Sequence, residues 1–213
     1  MPPQRRLQLP PLYAILDPEQ TQSRAAETAL FELLEGGIQW LQLRAKAMPP
    51  RDFLELARAA RRCTHSSSCK LIVNDRLDIA LACAADGVHL GQEDLPLHAA
   101  RKLMEDRIIG ISTHDVEQAK EAEAGGADYI GFGPMFGTAT KETGYGARGL
   151  QMLRQVREAV SIPIVAIGGI TEANVNEVWQ AGADSAAIIS DLLGADDISD
   201  KVKRILTLRQ ERI

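Results

Sequence analysis

The chain has 213 residues, 25% of them charged and 45% hydrophobic, and a formal net charge of −5. That length suits one large domain, since α/β barrels commonly occupy about 250 residues as a single unit. The mildly acidic balance excludes a general attraction to nucleic acid, so an anionic ligand must be held by local groups. No stretch approaches the roughly 18 apolar residues of a membrane span. Cys63, Cys69 and Cys83 are odd in number and form no C-x-x-C pair, which indicates neither a disulfide framework nor a zinc site and suits a reducing cytoplasm.

Residues 1–10, MPPQRRLQLP, read as a loose Pro-rich arm, and residues 11–213 as the domain. Apolar β-type runs follow in chain order: LYAIL at 12, WLQLR at 40, KLIVN at 70, GVHLG at 87, IIGIS at 108, DYIGFG at 128, PIVAIGG at 163 and SAAIIS at 185. Amphipathic segments separate them. Ala26, Ala29, Leu30, Leu33 and Leu34 share one helical face, with Gly36-Gly37 as its stop. Phe53, Leu56, Ala57 and Ala60 share the next, and Ser66-Ser67-Ser68 reads as the loop before the third strand. Later, Thr171 is the expected N-cap of a helix packing Val175, Val178 and Trp179, which Gly182 ends. Ala85-Asp86, Ala127-Asp128 and Ala183-Asp184 stand just before strands four, six and eight, an internal echo of a repeated helix exit. Near-continuous apolar strands alternating with helices imply a parallel sheet covered by helices. Eight such units point to a closed (β/α)8 TIM barrel in a single domain, with an open doubly wound sheet as the alternative.

In such a barrel the functional face lies at the C-terminal strand ends. Strand two runs into Gln42, Arg44 and Lys46, strand three into Asn74 and Asp75, strand four toward Asp94, and strand five into Ser112, Thr113 and His114. Alternation in QLRAK puts Gln42, Arg44 and Lys46 on one side, which suggests an anion; a solvated loop with Arg44 paired to an acid is the plain alternative. Asp75 and Asp94 end neighbouring strands and can converge on one hard cation such as Mg²⁺, although Asp75 could equally cap the following helix. Gly168-Gly169 and a short helix opened by Ser190 form the usual phosphate position of this fold, or else only a tight turn. Asp191 is unfavourable beside an anion there. His89, mid-strand, reads as a hydrogen-bonded barrel histidine, and His114 as the better proton-transfer candidate.

In order and spacing, QLRAK, VNDR, GVHLGQED, GISTH, GFGPMFGTATK, PIVAIGGI and AIIS resemble the thiamine phosphate synthase family from Tyr13 onward. The resemblance implies a transferase of thiamine biosynthesis. It would join 4-amino-2-methyl-5-hydroxymethylpyrimidine diphosphate to 4-methyl-5-hydroxyethylthiazole phosphate, giving thiamine phosphate and pyrophosphate. It implies Gln42, Arg44, Lys46, Asn74 and Lys141 on the pyrimidine diphosphate, Ser112 on the pyrimidine, and Asp75 and Asp94 on Mg²⁺. Thr138, Thr140, Gly169, Ile189 and Ser190 would contact the thiazole phosphate. Arg44, Lys46, Lys141 and Ser112 are its implied catalytic set.

The family's reaction breaks the C–O bond to diphosphate first, leaving a pyrimidine methyl cation for the thiazole nitrogen to capture, so no nucleophilic side chain is needed. The implied partners are small phosphorylated molecules, without nucleic acid or membrane, and a homodimer is the assembly considered. Gly137 stands where the family often has proline, and Asp191 where a small residue is usual. GYGARG at 144–149 also looks similar to the related thiazole tautomerase, which leaves a tautomerase-like enzyme and a non-catalytic phosphate-ligand regulator as alternatives. Residues 142–149 are expected to form a mobile cover over the pocket.

Overall fold

The computed structural model describes residues 7–137 and 146–210. Eight parallel strands close in chain order into one barrel: β1 Leu12–Leu16, β2 Trp40–Leu43, β3 Lys70–Asn74, β4 Gly87–Leu90, β5 Ile108–Thr113, β6 Tyr129–Phe132, β7 Ile164–Ile167 and β8 Ser185–Ile188, with β8 pairing back onto β1. All eight expected strands are present, and closure removes the open-sheet alternative.

Helices α1 Ala26–Glu35, α2 Pro50–Ser66, α3 Leu77–Ala82, α4 Leu97–Met104, α5 Val116–Ala124, α6 Gly149–Ala159 and α7 Val175–Gln180 each follow one strand. After β8 come α8 Ser190–Leu193 and α9 Ile198–Gln210. No helix among the described residues is long and apolar enough to cross a membrane.

The two-residue period of the strands separates two cores. Leu12, Ala14 and Leu16 of β1, Leu41 and Leu43 of β2, and Leu71 and Val73 of β3 face the helices in the larger core. Tyr13, Ile15, Trp40, Ile72, Tyr129, Val165 and Ala187 fill the barrel interior, where Leu7 and Leu9 of the N-terminal segment pack against them. The bulk of Tyr129 inside the barrel explains one strand glycine: a Cβ on Gly110 would lie 2.0 Å from the Tyr129 ring.

The Ala-Asp echo has a structural purpose at the N-terminal face. Asp86 accepts from the Leu71 N–H at 2.9 Å and the Arg61 guanidinium at 2.8 Å. Asp128 does the same with Ile109 N–H at 2.8 Å and Arg101 at 2.6 Å, and Asp184 with Ile164 N–H at 2.8 Å and Arg157 at 2.9 Å. Each carboxylate ties the start of an even strand to the start of the preceding odd strand and to the helix that leads into that odd strand. It satisfies an edge N–H with a charge-assisted bond.

Two local expectations differ from the structure. α2 continues through Ser66, with Ser67 as its C-cap and Ser68 in the left-handed region at φ 54°, so the serines end the helix rather than form a separate loop. Thr171 is not the N-cap of α7. Its backbone carbonyl accepts from Asn174 and Val175 while its own N–H donates to Asn174 Oδ1 at 2.8 Å, which forms a turn ahead of a helix that begins at Val175. Gly36 and Gly182 do end their helices: Gly36 caps α1, with Gly37 beyond it at φ 96°, and Gly182 follows α7 at φ 109°.

Candidate active site

A cavity opens at the C-terminal ends of the strands. Its walls include Gln42, Arg44, Lys46, Asn74, Ser112, Gly169, Ile189 and Ser190, so eight of the residues expected from sequence meet in one place. Thr138, Thr140 and Lys141, and residues 142–145 of the expected cover at 142–149, lie outside the described residues. The floor is aromatic. Tyr13 stacks on Trp40 with ring centroids 6.1 Å apart, and Trp40 meets Tyr129 edge-on at 6.2 Å.

The cationic side is built from β2 and the loop after it. The strand ends at Leu43, yet Arg44 N–H still donates to Leu16 O at 3.0 Å, so the alternation carries one residue further before Lys46 projects from the loop. Arg44 is ion-paired with Asp17, whose side chain is fully buried. Arg44 is therefore paired to an acid as the plain alternative had it, but in a largely buried setting rather than a solvated loop, and it also lines the cavity. Asp17 was not singled out from sequence. It follows β1 directly and its second oxygen accepts from Glu19 N–H at 3.0 Å, so it both caps the turn at Pro18–Gln20 and holds Arg44 in place.

The acidic side lies at the ends of β3 and β4. Lys46 Nζ is 3.0 Å from Asp75 Oδ2, and Asp75 sits in the left-handed region at φ 60°. The helix after β3 has Arg76 at its N-cap with no side-chain capping bond, so Asp75 is not the cap. Asp94 accepts from Gly91 N–H at 2.6 Å. Burial, with the neighbouring Asp75 carboxylate adding to it, pushes the Asp94 carboxyl above its ordinary value, against the pull of the Gly91 N–H. Two carboxylates that repel each other across one gap are what a hard cation relieves. Among the described residues no three His, Cys, Asp or Glu side chains cluster as a ready metal cage. The donor set therefore fits Mg²⁺, which takes one or two carboxylates and completes its shell with water and phosphate oxygens.

The third side is made of backbone. Gly168 at φ 101° and Gly169 at φ 65° let the β7 loop lie against the β6 loop. A Cβ on Gly168 would stand 2.7 Å from Pro134 Cα, and one on Gly169 2.6 Å from the Gly137 carbonyl oxygen. Met135 N–H donates to Ile167 O at 2.8 Å and Phe136 N–H to Gly168 O at 3.0 Å, locking the two loops together. The glycines thus meet a steric demand of the turn and also leave that wall of the cavity as backbone. Asp191 turns away from it: one oxygen accepts from Glu172 N–H at 2.9 Å and the other pairs with Lys201 at 2.7 Å. The charge that made Asp191 unfavourable for an anion is spent on α9.

His89 is a bonded barrel histidine, with Nδ1 3.0 Å from Tyr129 Oη and Nε2 2.9 Å from Ser112 Oγ. His114 lines the cavity and its Nδ1 is 2.6 Å from the Gly133 carbonyl, which ties it to the end of β6. Tyr13 and Tyr129 line the same cavity and were missed as site residues. Each looks like core in a strand, and only barrel closure brings their hydroxyls to 2.8 Å.

With this geometry in hand, similarity to known proteins becomes informative. The family model described as thiamine monophosphate synthase matches residues 12–192. A thiamine-phosphate synthase of Halalkalibacterium halodurans is 45% identical over 202 residues, 94% of this chain and 96% of the relative. One from Coprothermobacter proteolyticus is 46% identical over 198 residues, 92% and 93% of the two chains. The solved structure of a thiamine phosphate pyrophosphorylase from Pyrococcus furiosus superposes with a TM-score of 0.87 at 38% identity, covering 94% of this chain and 96% of that one. The match runs through every strand that contributes to the cavity, and the chain belongs to the thiamine monophosphate synthase family.

Proposed function

We propose that the chain joins 4-amino-2-methyl-5-hydroxymethylpyrimidine diphosphate to 4-methyl-5-hydroxyethylthiazole phosphate, with thiamine phosphate and pyrophosphate as products and Mg²⁺ as cofactor. The observation that carries this reading is the pairing of Asp75 and Asp94 beside Lys46, at the edge of a cavity that also holds Gln42, Arg44 and Asn74. A phosphorylated ligand needs positive charge, yet the described side chains supply two cations against the three carboxylates of Asp17, Asp75 and Asp94. A divalent cation on the acid pair reverses that deficit, and Lys141 and backbone N–H groups add to it.

In this reading Asp75 and Asp94 hold Mg²⁺, which when bound neutralises charge on the departing diphosphate. Arg44 and Lys46 bind the same group as it leaves with the electron pair of the broken C–O bond, and Asn74 and Gln42 orient the pyrimidine end. The thiazole nitrogen then supplies the pair for the new C–N bond. Gly169, Ile189 and Ser190, with Thr138 and Thr140, hold the thiazole phosphate so that this nitrogen faces the methylene carbon. No side chain becomes covalently attached. The aromatic floor of Tyr13 and Tyr129, backed by Trp40, keeps water from the cationic carbon. Cys63, Cys69 and Cys83 are unpaired, and burial pushes the Cys69 thiol up to about 12, which suits a reducing cytoplasm and no thiol chemistry.

The names of the relatives and the acid pair both favour coupling over tautomerisation. Incubation with both phosphorylated substrates and Mg²⁺ tests the choice. Thiamine phosphate is the expected product; isomerisation of a thiazole carboxylate phosphate without coupling would select the tautomerase, and binding without turnover the regulator.

A further inference from the structure

The barrel order places β1 between β8 and β2, so the loop after β1, residues 17–25, stands between two sides of the cavity. On one side Arg44 and Lys46 follow β2, which ends at Leu43; on the other Ile189 and Ser190 follow β8, which ends at Ile188. These residues lie past the last strand positions, so the sheet alone does not hold the two sides at a fixed separation. What packs between them must do so.

The loop is tied at both ends. At its start the buried Asp17 pairs with Arg44. At its end Arg24 reaches across to α8, where Nη1 donates to Leu193 O at 3.3 Å and Nη2 donates to Ala195 O at 3.1 Å and Asp196 O at 3.0 Å. Glu32 of α1, 3.4 Å from Arg24 Nε, steadies the guanidinium from behind. Between these ends the loop is bonded to itself. Gln20 N–H donates to Asp17 O at 2.9 Å, Thr21 Oγ to Pro18 O at 3.0 Å and Arg24 N–H to Thr21 O at 3.0 Å, and Thr21 is buried. α8 needs outside support, because its four residues fall far short of the roughly 12–15 at which a helix begins to hold by itself. An arginine on the last carbonyls supplies it.

We propose that Arg24 is a positioning residue: with Asp17 at the other end, it makes residues 17–25 a strut that fixes the Ser190 side of the cavity against the Arg44 side, and so decides whether the pyrimidine methyl cation is captured by the thiazole nitrogen or by water. The inference rests on the proposed coupling reaction. It goes beyond that reading in giving the fate of the cation to a residue outside the cavity wall. The C–O bond breaks with its electron pair leaving on the diphosphate. The methylene carbon then takes a pair from the thiazole nitrogen, giving thiamine phosphate, or from a water oxygen, which sheds a proton and gives the hydroxymethylpyrimidine. Either route releases one pyrophosphate, so pyrophosphate in excess of thiamine phosphate counts the cations lost to water. Capture depends on alignment, and small displacements of a reacting atom are costly.

Pyrophosphate, thiamine phosphate and hydroxymethylpyrimidine are measured in one Mg²⁺-containing reaction with both substrates. Wild type is expected to give equal amounts of the first two. Arg24→Met keeps the apolar stem and removes every donor; its ratio of pyrophosphate to thiamine phosphate is expected to rise at least ~2-fold, with hydroxymethylpyrimidine accounting for the excess. Arg24→Lys, one ammonium in place of a fork that spans three carbonyls, should fall between the two. If circular dichroism shows Arg24→Met unfolded, Thr21→Val decides instead, because it removes the bond to Pro18 O inside the loop without touching α8. A ratio that stays at one in the deciding variant, however far kcat or stability falls, makes the loop a structural element alone and overturns the proposal. Absence of thiamine phosphate from wild type overturns the coupling reaction and this inference with it, and is told apart by the wild-type arm.

Discussion

Lys46 Nζ lies 3.0 Å from Asp75 Oδ2, so the lysine that faces the cavity is already engaged by a carboxylate whose other neighbour is Asp94. A cation entering between the two acids frees Lys46 to meet a phosphate. Asp75→Asn and Asp94→Asn are each expected to lower kcat/KM for coupling by at least ~10- to 100-fold, the scale on which even the outer partners of a metal act. Thermal stability of the ligand-free protein should not fall in Asp94→Asn, because that change removes a partly buried like charge beside Asp75; Asp75→Asn removes the same repulsion together with the ion pair to Lys46. Full activity in either variant removes that residue from the metal role.

The raised Asp94 carboxyl gives a pH dependence with a definite sign. A carboxyl that binds its proton more tightly folded than unfolded favours the folded state at low pH, and that contribution is lost as pH rises from the ordinary 3.8 through the raised folded value. Denaturation of wild type and Asp94→Asn, compared pH by pH without metal, should show wild type losing ground as pH climbs through this window. Added Mg²⁺ should reverse the loss at neutral pH. An identical pH profile for the two proteins would contradict the burial and repulsion assigned to Asp94.

Arg44 and Asp17 make a separate prediction, because Asp17 is fully buried and Arg44 nearly so. Arg44→Ala leaves an uncompensated buried carboxylate and should cost about 3–5 kcal/mol of stability in addition to activity. Adding Asp17→Asn should restore most of the stability and none of the activity. Urea unfolding of the single and double variants measures this directly.

The fold was legible because parallel barrel strands are continuous apolar runs, and because the polar residues at their ends, from Gln42 to Ser190, are read in chain order. What could not be read depends on barrel closure. Tyr13 and Tyr129 are 116 positions apart and look like core, and the acid that meets Arg44 is 27 positions away. The Ala-Asp echo was visible as a pattern. Its meaning was not, because Arg61, Arg101 and Arg157 stand 25 to 27 positions before their aspartates, and nothing local singles them out. Thr171 misled because its hydroxyl suggests a cap, whereas the turn uses its carbonyl and the Asn174 amide.

The clamps at the N-terminal face should act on stability alone. Asp86→Ala removes the acceptor of Leu71 N–H and the partner of Arg61 and Lys70. A loss of about 1–3 kcal/mol is expected with kcat unchanged, measured by chemical denaturation alongside the coupling assay. A fall in kcat at full stability would show that this face communicates with the site.

The account stands most directly on pyrophosphate release followed across a Mg²⁺ titration with both substrates present. The prediction is one pyrophosphate for each thiamine phosphate, rising with Mg²⁺ in wild type and abolished by chelation, and near background at every concentration in the Asp75→Asn/Asp94→Asn double variant. Coupling that survives chelation, or that persists undiminished in the double variant, would contradict the assignment of the acid pair. Absence of both products from wild type with Mg²⁺ would contradict the reaction itself.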